Sequence, residues 1–209
     1  MVSIGIPTIK DNVDAQIEAI KQSTEVEVDV FGTCTKGSAA QNRNLVIERA
    51  KYDLIIMCDD DIEGYYFDWV KDMLNIWDDE KMNILSIRPL RKDGSICPLL
   101  GDNGSQGLEQ GLLFPALHTK ATGLNICGSA TIMFKKTHVR FDEQAYVAGG
   151  CYEDSDFAMS CNKAFPNKKV YITNQVRLIH NMEQKGRGVN REHWVHNRDS
   201  FAKKWGITI

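Results

Sequence analysis

The stretch DLIIMCDDD at residues 53–61 decides the fold of this 209-residue chain. An unbroken apolar run of five residues, 54–58, is followed directly by three carboxylates. A short apolar run without alternation is typical of a strand that is buried on both faces of a parallel sheet. Open α/β sheets bind ligands at the carboxyl ends of their strands, and the acids stand at that end. The stretch therefore predicts a buried strand that delivers acidic side chains to a binding crevice.

The acids at the end of this strand are candidates for a metal site. Asp59 and Asp61 lie two residues apart, so a local turn can direct both carboxylates at one hard divalent cation. Coordination positions would remain open for diphosphate oxygens. The alternative is a solvated turn, because Asp-rich turns are common. The strand pattern before the acids favours the metal site.

Strand and helix patterns alternate through the first ninety residues. The apolar periodicity predicts strands at 2–6, 26–30, 53–58 and 83–88, and helices at about 13–20, 38–50 and 65–77. Such alternation implies a doubly wound, mostly parallel central sheet flanked by helices, with right-handed crossovers. The expected fold class is therefore α/β.

The second part of the chain differs in composition from the first. Glycine, proline and polar residues dominate 92–122, which we interpret as a functional loop. Beyond it we predict strands at 129–135, 169–173 and 175–180, and helices at 154–165 and 193–205. The length suits one sizeable core, so we expect a single domain over 1–209.

Composition narrows the class of protein further. The formal net charge of −3 argues against a general polyanion-binding surface, so no stable nucleic-acid partner is expected. Six cysteines without any CxxC pair favour a reducing compartment over a disulfide framework or a zinc site. The sequence shows neither a signal-peptide pattern nor an apolar run long enough to form a transmembrane segment. We therefore expect a soluble intracellular protein.

The order of these segments resembles the family 2 type of GT-A glycosyltransferases, which move a sugar from a nucleotide-diphosphate donor to an acceptor. The matching segments are SIGIPT at 3–8, AAQNRN at 39–44, LIIMCDDD at 54–61, EDSDF at 153–157, and His180. They extend over nearly the whole chain. The resemblance implies a GT-A fold with a nucleotide-binding half at about 1–91 and an acceptor-side half at about 92–209. With the compact size and the lack of a membrane-anchor pattern, we expect a bacterial, phage or large-virus enzyme in the cytoplasm, the host cytoplasm for a virus. One catalytic domain cut from a longer chain is the alternative.

The resemblance assigns donor-binding and metal-binding roles. Pro7 and Thr8 would border a uracil pocket, and Arg43 and Asn44 would stand near the nucleotide. Asp59 and Asp61 would be the DXD carboxylates that hold the metal, with Asp59 and Asp60 also among the donor-binding residues. His180 would complete the metal site, and imidazole with carboxylates suits Mn²⁺ better than Mg²⁺. The alternative for His180 is a strand-end histidine bonded to a backbone carbonyl.

A basic segment follows His180. Lys185 and Arg187 could close over the diphosphate as a lid, because Gly186 and Gly188 supply hinge freedom. A solvated basic loop is the alternative.

Two acids open the predicted helix at 154–165. Glu153 and Asp154 would be favoured as carboxylates at a helix N-terminus, and simple capping is the alternative reading. As a general base, Asp154 would accept the proton of the acceptor hydroxyl and the reaction would invert configuration. In a retaining enzyme the same pair would bind the acceptor. Asp156 would position the acceptor or support the turn.

The sequence leaves the donor base, the sugar and the acceptor open. The second strand carries Asp29 too early to hold uridine as relatives do, although a UDP-sugar is the favoured donor. We expect a hexosyl- or deoxyhexosyltransferase that acts on a glycan or another hydroxyl acceptor. The alternatives are a nucleotide-sugar pyrophosphorylase, disfavoured because no glycine-rich phosphate loop follows the first strand, and a non-catalytic, metal-dependent carbohydrate-binding module.

Overall fold

The structure, a computed structural model, describes residues 1–35, 37–95, 113–115, 130–147, 151–181 and 190–207. Strands and helices alternate along much of these residues. The elements are β1 (Val2–Thr8), α1 (Asp14–Gln22), β2 (Val28–Cys34), α2 (Ala39–Arg49), β3 (Leu54–Cys58), β4 (Ile62–Glu63), α3 (Trp69–Ile76), β5 (Met82–Ile87), β6 (Leu113–Pro115), β7 (Thr131–Lys135), α4 (Glu153–Ala164), β8 (Lys169–Thr173), β9 (Ile179–His180) and α5 (Arg191–Trp205).

One seven-stranded sheet organises the molecule, with strand order β2-β1-β3-β7-β5-β8-β6. β1 is parallel to β2 and to β3, and β5 is parallel to β8. β7 runs antiparallel between β3 and β5, and β6 is antiparallel to β8. Five strands therefore point in one direction and two in the other. The predicted mostly parallel α/β sheet is confirmed.

The position of β3 between two cores explains why its sequence does not alternate apolar and polar residues. Ile56 and Cys58 pack in the core that includes α1 and α3, whereas Ile55 and Met57 pack in the core that includes α2 and α4. Successive side chains point to opposite faces of a strand, so helices cover both faces of the sheet. All four side chains are fully buried. This is the doubly wound arrangement that the sequence predicts.

α2 is placed by its cap and by a close approach to β1. Gln41 donates its backbone N–H to Ser38 Oγ at 3.2 Å, and Ser38 donates its own to Gln41 Oε1 at 3.0 Å. This capping box begins the helix where the sequence predicts it. A Cβ at Gly5 would lie 2.2 Å from Val46 Cγ1, so only glycine lets α2 come this near to β1. The start of α2 therefore stands beside the carboxyl end of β1.

Four predictions of element bounds need correction. The strand predicted at 26–30 is β2, which begins two residues later and ends four residues later. The strand predicted at 175–180 is reduced to β9, which pairs with β4. The helix predicted at 65–77 begins only at Trp69, because Asp68 has a left-handed backbone (φ 67°). β6 lies inside the segment that we interpreted as a loop. Among the described residues, no helix has both the length and the apolar character needed to cross a membrane.

Candidate active site

Three metal-ligand side chains converge at the carboxyl end of β3. The backbone N–H of Asp59 donates to Ala130 O at 2.8 Å, which fixes the start of the acidic turn. The chain then enters β4, where Ile62 pairs with His180 of β9. His180 Nε2 lies 3.2 Å from Asp61 Oδ1. The ligand atoms of Asp59, Asp61 and His180 all lie within 4.8 Å of one another.

This group has the chemistry of a divalent-cation site. Two carboxylates supply hard oxygen ligands, and one imidazole supplies a nitrogen ligand that first-row transition ions accept more readily than Mg²⁺. The Asp61 carboxylate is buried, and that of Asp59 is 24% exposed. Burial raises the pKa of Asp59 above its ordinary value, an effect that Arg43 and His180 oppose. The three residues could therefore hold a metal ion, as the sequence predicts.

Asp60, the middle acid, makes different contacts. Its carboxylate accepts a hydrogen bond from the Thr8 hydroxyl, and its carbonyl accepts one from Lys10 Nζ at 2.7 Å. Lys10 Nζ also lies 3.7 Å from Asp60 Oδ1. The structure thus places Asp60 as the link between the ends of β3 and β1. Its role in donor binding stays a prediction.

Asn42 is a residue that the sequence analysis missed. Its Nδ2 donates to Thr8 O at 3.0 Å, and its Oδ1 accepts from the backbone N–H of Thr35 at 2.7 Å and from the Thr35 hydroxyl at 2.9 Å. The fully buried amide therefore ties the end of β1 to the chain that follows β2. Pro7 pairs with Thr33 at this edge. The available signal was an asparagine in the first turn of a helix that begins beside the strand ends.

Arg43 connects the metal-ligand group to α4. Its Nη1 donates to Glu153 Oε1 at 2.6 Å, and its Nη2 lies 3.4 Å from Asp59 Oδ1. Its guanidinium also covers the Phe141 ring, 5.5 Å from the centroid. Burial alone would lower the pKa of Arg43, but the attraction of Glu153, Asp59 and Asp154 raises it. A buried, permanently charged group therefore stands between two sets of acids.

Asn44 braces the loop that leads toward α4. Its Nδ2 donates to Phe141 O at 2.9 Å and to Glu143 Oε1 at 2.7 Å, and its Oδ1 accepts from the Phe141 N–H at 2.8 Å. These bonds hold Phe141 under Arg43. The predicted place of Asn44 near the nucleotide stays a prediction.

Glu153 and Asp154 form the start of α4. The backbone N–H of Ser155 donates to Asp154 Oδ1 at 2.7 Å. Burial, with repulsion from Glu153, raises the pKa of Asp154 to about 6, although Arg43 acts in the opposite direction. A carboxylate with a pKa near the working pH has the basicity that general-base catalysis needs. The structure therefore brings Glu153 into contact with Arg43, and Asp154 follows it at the start of the helix.

Asp156 supports the turn, which is one of the two roles considered from the sequence. Its fully buried carboxylate accepts from Lys204 Nζ and from Trp205 Nε1, both at 2.8 Å. Lys185 and Arg187, the predicted lid residues, lie outside the described residues.

No family model and no curated protein matches this sequence. Solved structures do resemble its fold. S. aureus TarS aligns with a TM-score of 0.55 and 13% identity over 83% of this chain and 36% of its own. TarS 1–349 in complex with UDP-GlcNAc aligns with a TM-score of 0.51 and 14% identity over 83% of this chain and 58% of its own. The chain has the GT-A fold.

A mycobacterial protein aligns over all of this GT-A chain and 76% of its own, with a TM-score of 0.59 and 10% identity. Identities this low establish a common fold and no more. This chain also spans only about a third to three fifths of the TarS chains. In this GT-A fold, the carboxyl ends of β1 and β3 and the start of α4 meet around Arg43. The arrangement joins a possible cation site to the helix start that carries a carboxylate of raised pKa, through one guanidinium.

Proposed function

We propose that the chain is a metal-dependent glycosyltransferase that moves a sugar from a nucleotide-diphosphate donor to a hydroxyl acceptor with inversion of configuration. One observation carries the proposal. Arg43 joins a group of metal ligands, Asp59, Asp61 and His180, to a pair of acids at a helix N-terminus. The GT-A fold supports it, and the TarS structure in complex with UDP-GlcNAc supports a UDP-sugar as the donor.

The donor side would be built on β1 and β3. Asp59, Asp61 and His180 would hold Mn²⁺ or Mg²⁺. When bound, the ion supplies Lewis-acid stabilisation of the negative charge that develops on the departing diphosphate. Thr8, fixed by Asp60 and Asn42, would form the rigid edge against which the nucleotide lies, and Pro7 would border it.

The acceptor side would be built on the first turn of α4. Asp154 accepts the proton of the acceptor hydroxyl while that oxygen forms the bond to the anomeric carbon and the bond to the diphosphate oxygen breaks. Attack from the face opposite the diphosphate inverts the configuration. With a pKa of about 6, Asp154 is mostly ionised at pH 7 and is a stronger base than an ordinary aspartate. Glu153, held by Arg43, fixes the helix start that presents Asp154.

A thermal-shift panel with UDP, GDP, CDP and ADP, each with and without Mn²⁺, tests the donor assignment. A ligand that binds only the native state stabilises it by about 2.7 kcal/mol at a hundred times its Kd. For a domain of this size that corresponds to roughly 5–10 °C in Tm. We expect a shift that requires both UDP and Mn²⁺. If no pair of nucleotide and metal raises Tm, the proposal is wrong, and the acids are a solvated turn or part of a carbohydrate-binding module.

A further inference from the structure

The turn before α4 has an unusual backbone. Cys151 and Tyr152 both lie in the left-handed region, with φ of 59° and 76°. Tyr152, the N-cap residue of α4, makes no capping hydrogen bond with its side chain. Residues with a Cβ are strained in this region, and they stay there only when their surroundings hold them. Because Glu153 and Asp154 follow at once, whatever holds this turn also places the two acids.

Asn197 of α5 holds the turn by its amide. Its side chain is fully buried. Oδ1 accepts from the Val147 N–H at 2.9 Å, and Nδ2 donates to Val147 O at 3.0 Å and to Cys151 O at 2.8 Å. One side chain thus binds the backbone at two points, one of them a left-handed residue. The fully buried Asn197 amide would pay the cost of desolvation if it lost these partners, so the three bonds constrain the turn.

Other residues of α5 pack around the same turn. The Tyr152 ring lies 5.9 Å from that of Trp194 and 5.4 Å from that of Phe201, between ring centroids. The Lys204 and Trp205 side chains bind Asp156 one turn further along α4. Residues along the length of α5 therefore support the start of α4. The hydrogen bond from Asn197 differs from these side-chain contacts because it acts on the backbone of the turn itself, just ahead of the two acids.

We infer that Asn197 is a positioning residue for the two acids: through the backbone of Cys151 it fixes where Glu153 and Asp154 stand against Arg43. The catalytic part of this inference rests on the proposed function. The placement itself does not. Among the described residues, the charged and titratable groups that act on Asp154 include Arg43 from α2, Asp59 from the end of β3, its neighbour Glu153, and the Cys151 thiol. A turn that relaxes would move Asp154 among these groups and toward water.

Asn197→Leu tests the inference, because leucine is close in size to asparagine, carries no charge and makes none of the three hydrogen bonds. The first readout is the titration of Asp154, followed by its carboxyl ¹³C resonance, which needs no enzymatic activity. We expect the pKa of Asp154 to fall by at least about half a unit toward that of an ordinary aspartate. We also expect kcat for transfer to fall at least about tenfold, with the donor KM within about twofold. Asn197→Ser serves if Asn197→Leu does not fold.

The matched control is Asn83→Leu. Asn83 is also buried, but it lies near the amino end of β5, where its Nδ2 donates to Asn162 Oδ1 at 2.7 Å. At an equal loss of Tm, the control should leave the pKa of Asp154 and kcat unchanged. If both variants leave the Asp154 titration alone, or move it equally, Asn197 only stabilises the fold and the inference is wrong. If the native protein transfers no sugar, the proposed function fails, while the titration still decides the role of Asn197.

Discussion

Two short acidic segments face each other across Arg43, and they are built alike. In the segment at 59–61, Asp60 is bound by Thr8 and Lys10. In the segment at 153–156, Asp156 is bound by Lys204 and Trp205. In each segment, one carboxylate is thus used to fix the backbone. Of the remaining acids, Asp59 from one segment and Glu153 from the other pair directly with Arg43.

The two segments differ in the groups that lie next to their other acids. Asp59 and Asp61 lie in a turn after a strand, where the β4–β9 pairing brings His180 to them. Glu153 and Asp154 lie at a helix N-terminus and meet Arg43, and the pKa of Asp154 is raised by burial. The same residue type is therefore a candidate metal ligand in one segment and a candidate base in the other. The partners that the fold supplies make the difference, and substitution of one acid from each segment should produce different losses.

Asp154→Asn should have the largest effect. Loss of a general base lowers rates by about 10²- to 10⁴-fold, so we expect kcat to fall at least about a hundredfold. Affinity for UDP with Mn²⁺ should be kept, because the metal ligands lie on the other segment. Steady-state transfer assays and calorimetric titration with UDP and Mn²⁺ measure the two quantities separately.

The control for this loss is Glu192→Gln, which removes an exposed acid from the first turn of α5. It should retain turnover. Near-normal turnover of Asp154→Asn would show that the residue only caps α4, and the contrast between the two segments would then rest on the metal ligands alone.

Asp61→Asn should act on binding. We expect the affinity for UDP in the presence of Mn²⁺ to fall at least about tenfold. The substitution removes one of the two carboxylates in the three-residue group. The Tm without ligands should change little. Calorimetric titration and thermal shift measure both. Asp79→Asn, which removes an acid paired with Lys135 away from the site, should bind as the native protein does. Unchanged affinity in Asp61→Asn would remove that residue from the metal site.

Much of the first acidic segment could be predicted because its signals are local. The apolar run, the acids after it and the Ser38 cap each lie within a few residues, and the structure confirms the strand and the helix that they predict. The distinct contacts of Asp60 could not be predicted, because they depend on Thr8 and Lys10 from another strand end. Residue types and spacing do not show which acid of the three binds Thr8.

The link between the two segments could not be predicted either. Arg43 and Glu153 meet only when α2 and α4 cover the same face of the sheet. β4 and β9 have two residues each, too few to show any periodicity, yet their pairing completes the metal-ligand group. The backbone contacts of Asn42 and Asn197 could not be predicted, because they join residues that are far apart in the sequence.

The smallest predicted effect is a gain in stability from Asp154→Asn, the same substitution that should lower kcat most. The folded protein raises the pKa of Asp154 from 3.8 to about 6, so it binds that proton more tightly than the unfolded chain does. The stability that Asp154 contributes when protonated is fully present below about pH 3.8, and it is lost as pH rises through about 6. Asp154→Asn removes a charge that is partly shielded from water. Because solvent screens this partly exposed side chain, we expect Tm to rise by only about 2–4 °C at pH 8, and by almost nothing near pH 4.

Asp142→Asn should behave in the opposite way. Burial alone would raise the pKa of Asp142, but hydrogen bonds from Lys204 Nζ and from the N–H groups of Ala145 and Gln144 lower it. That carboxylate therefore stabilises the fold at neutral pH, and its replacement should lower Tm at pH 8. Thermal melts of both variants from pH 4 to pH 8 compare the two signs. If the gain in Tm for Asp154→Asn does not vary with pH, the folded protein does not raise the pKa of Asp154. Asp154 would then lack the raised basicity that distinguishes it from the candidate metal ligands.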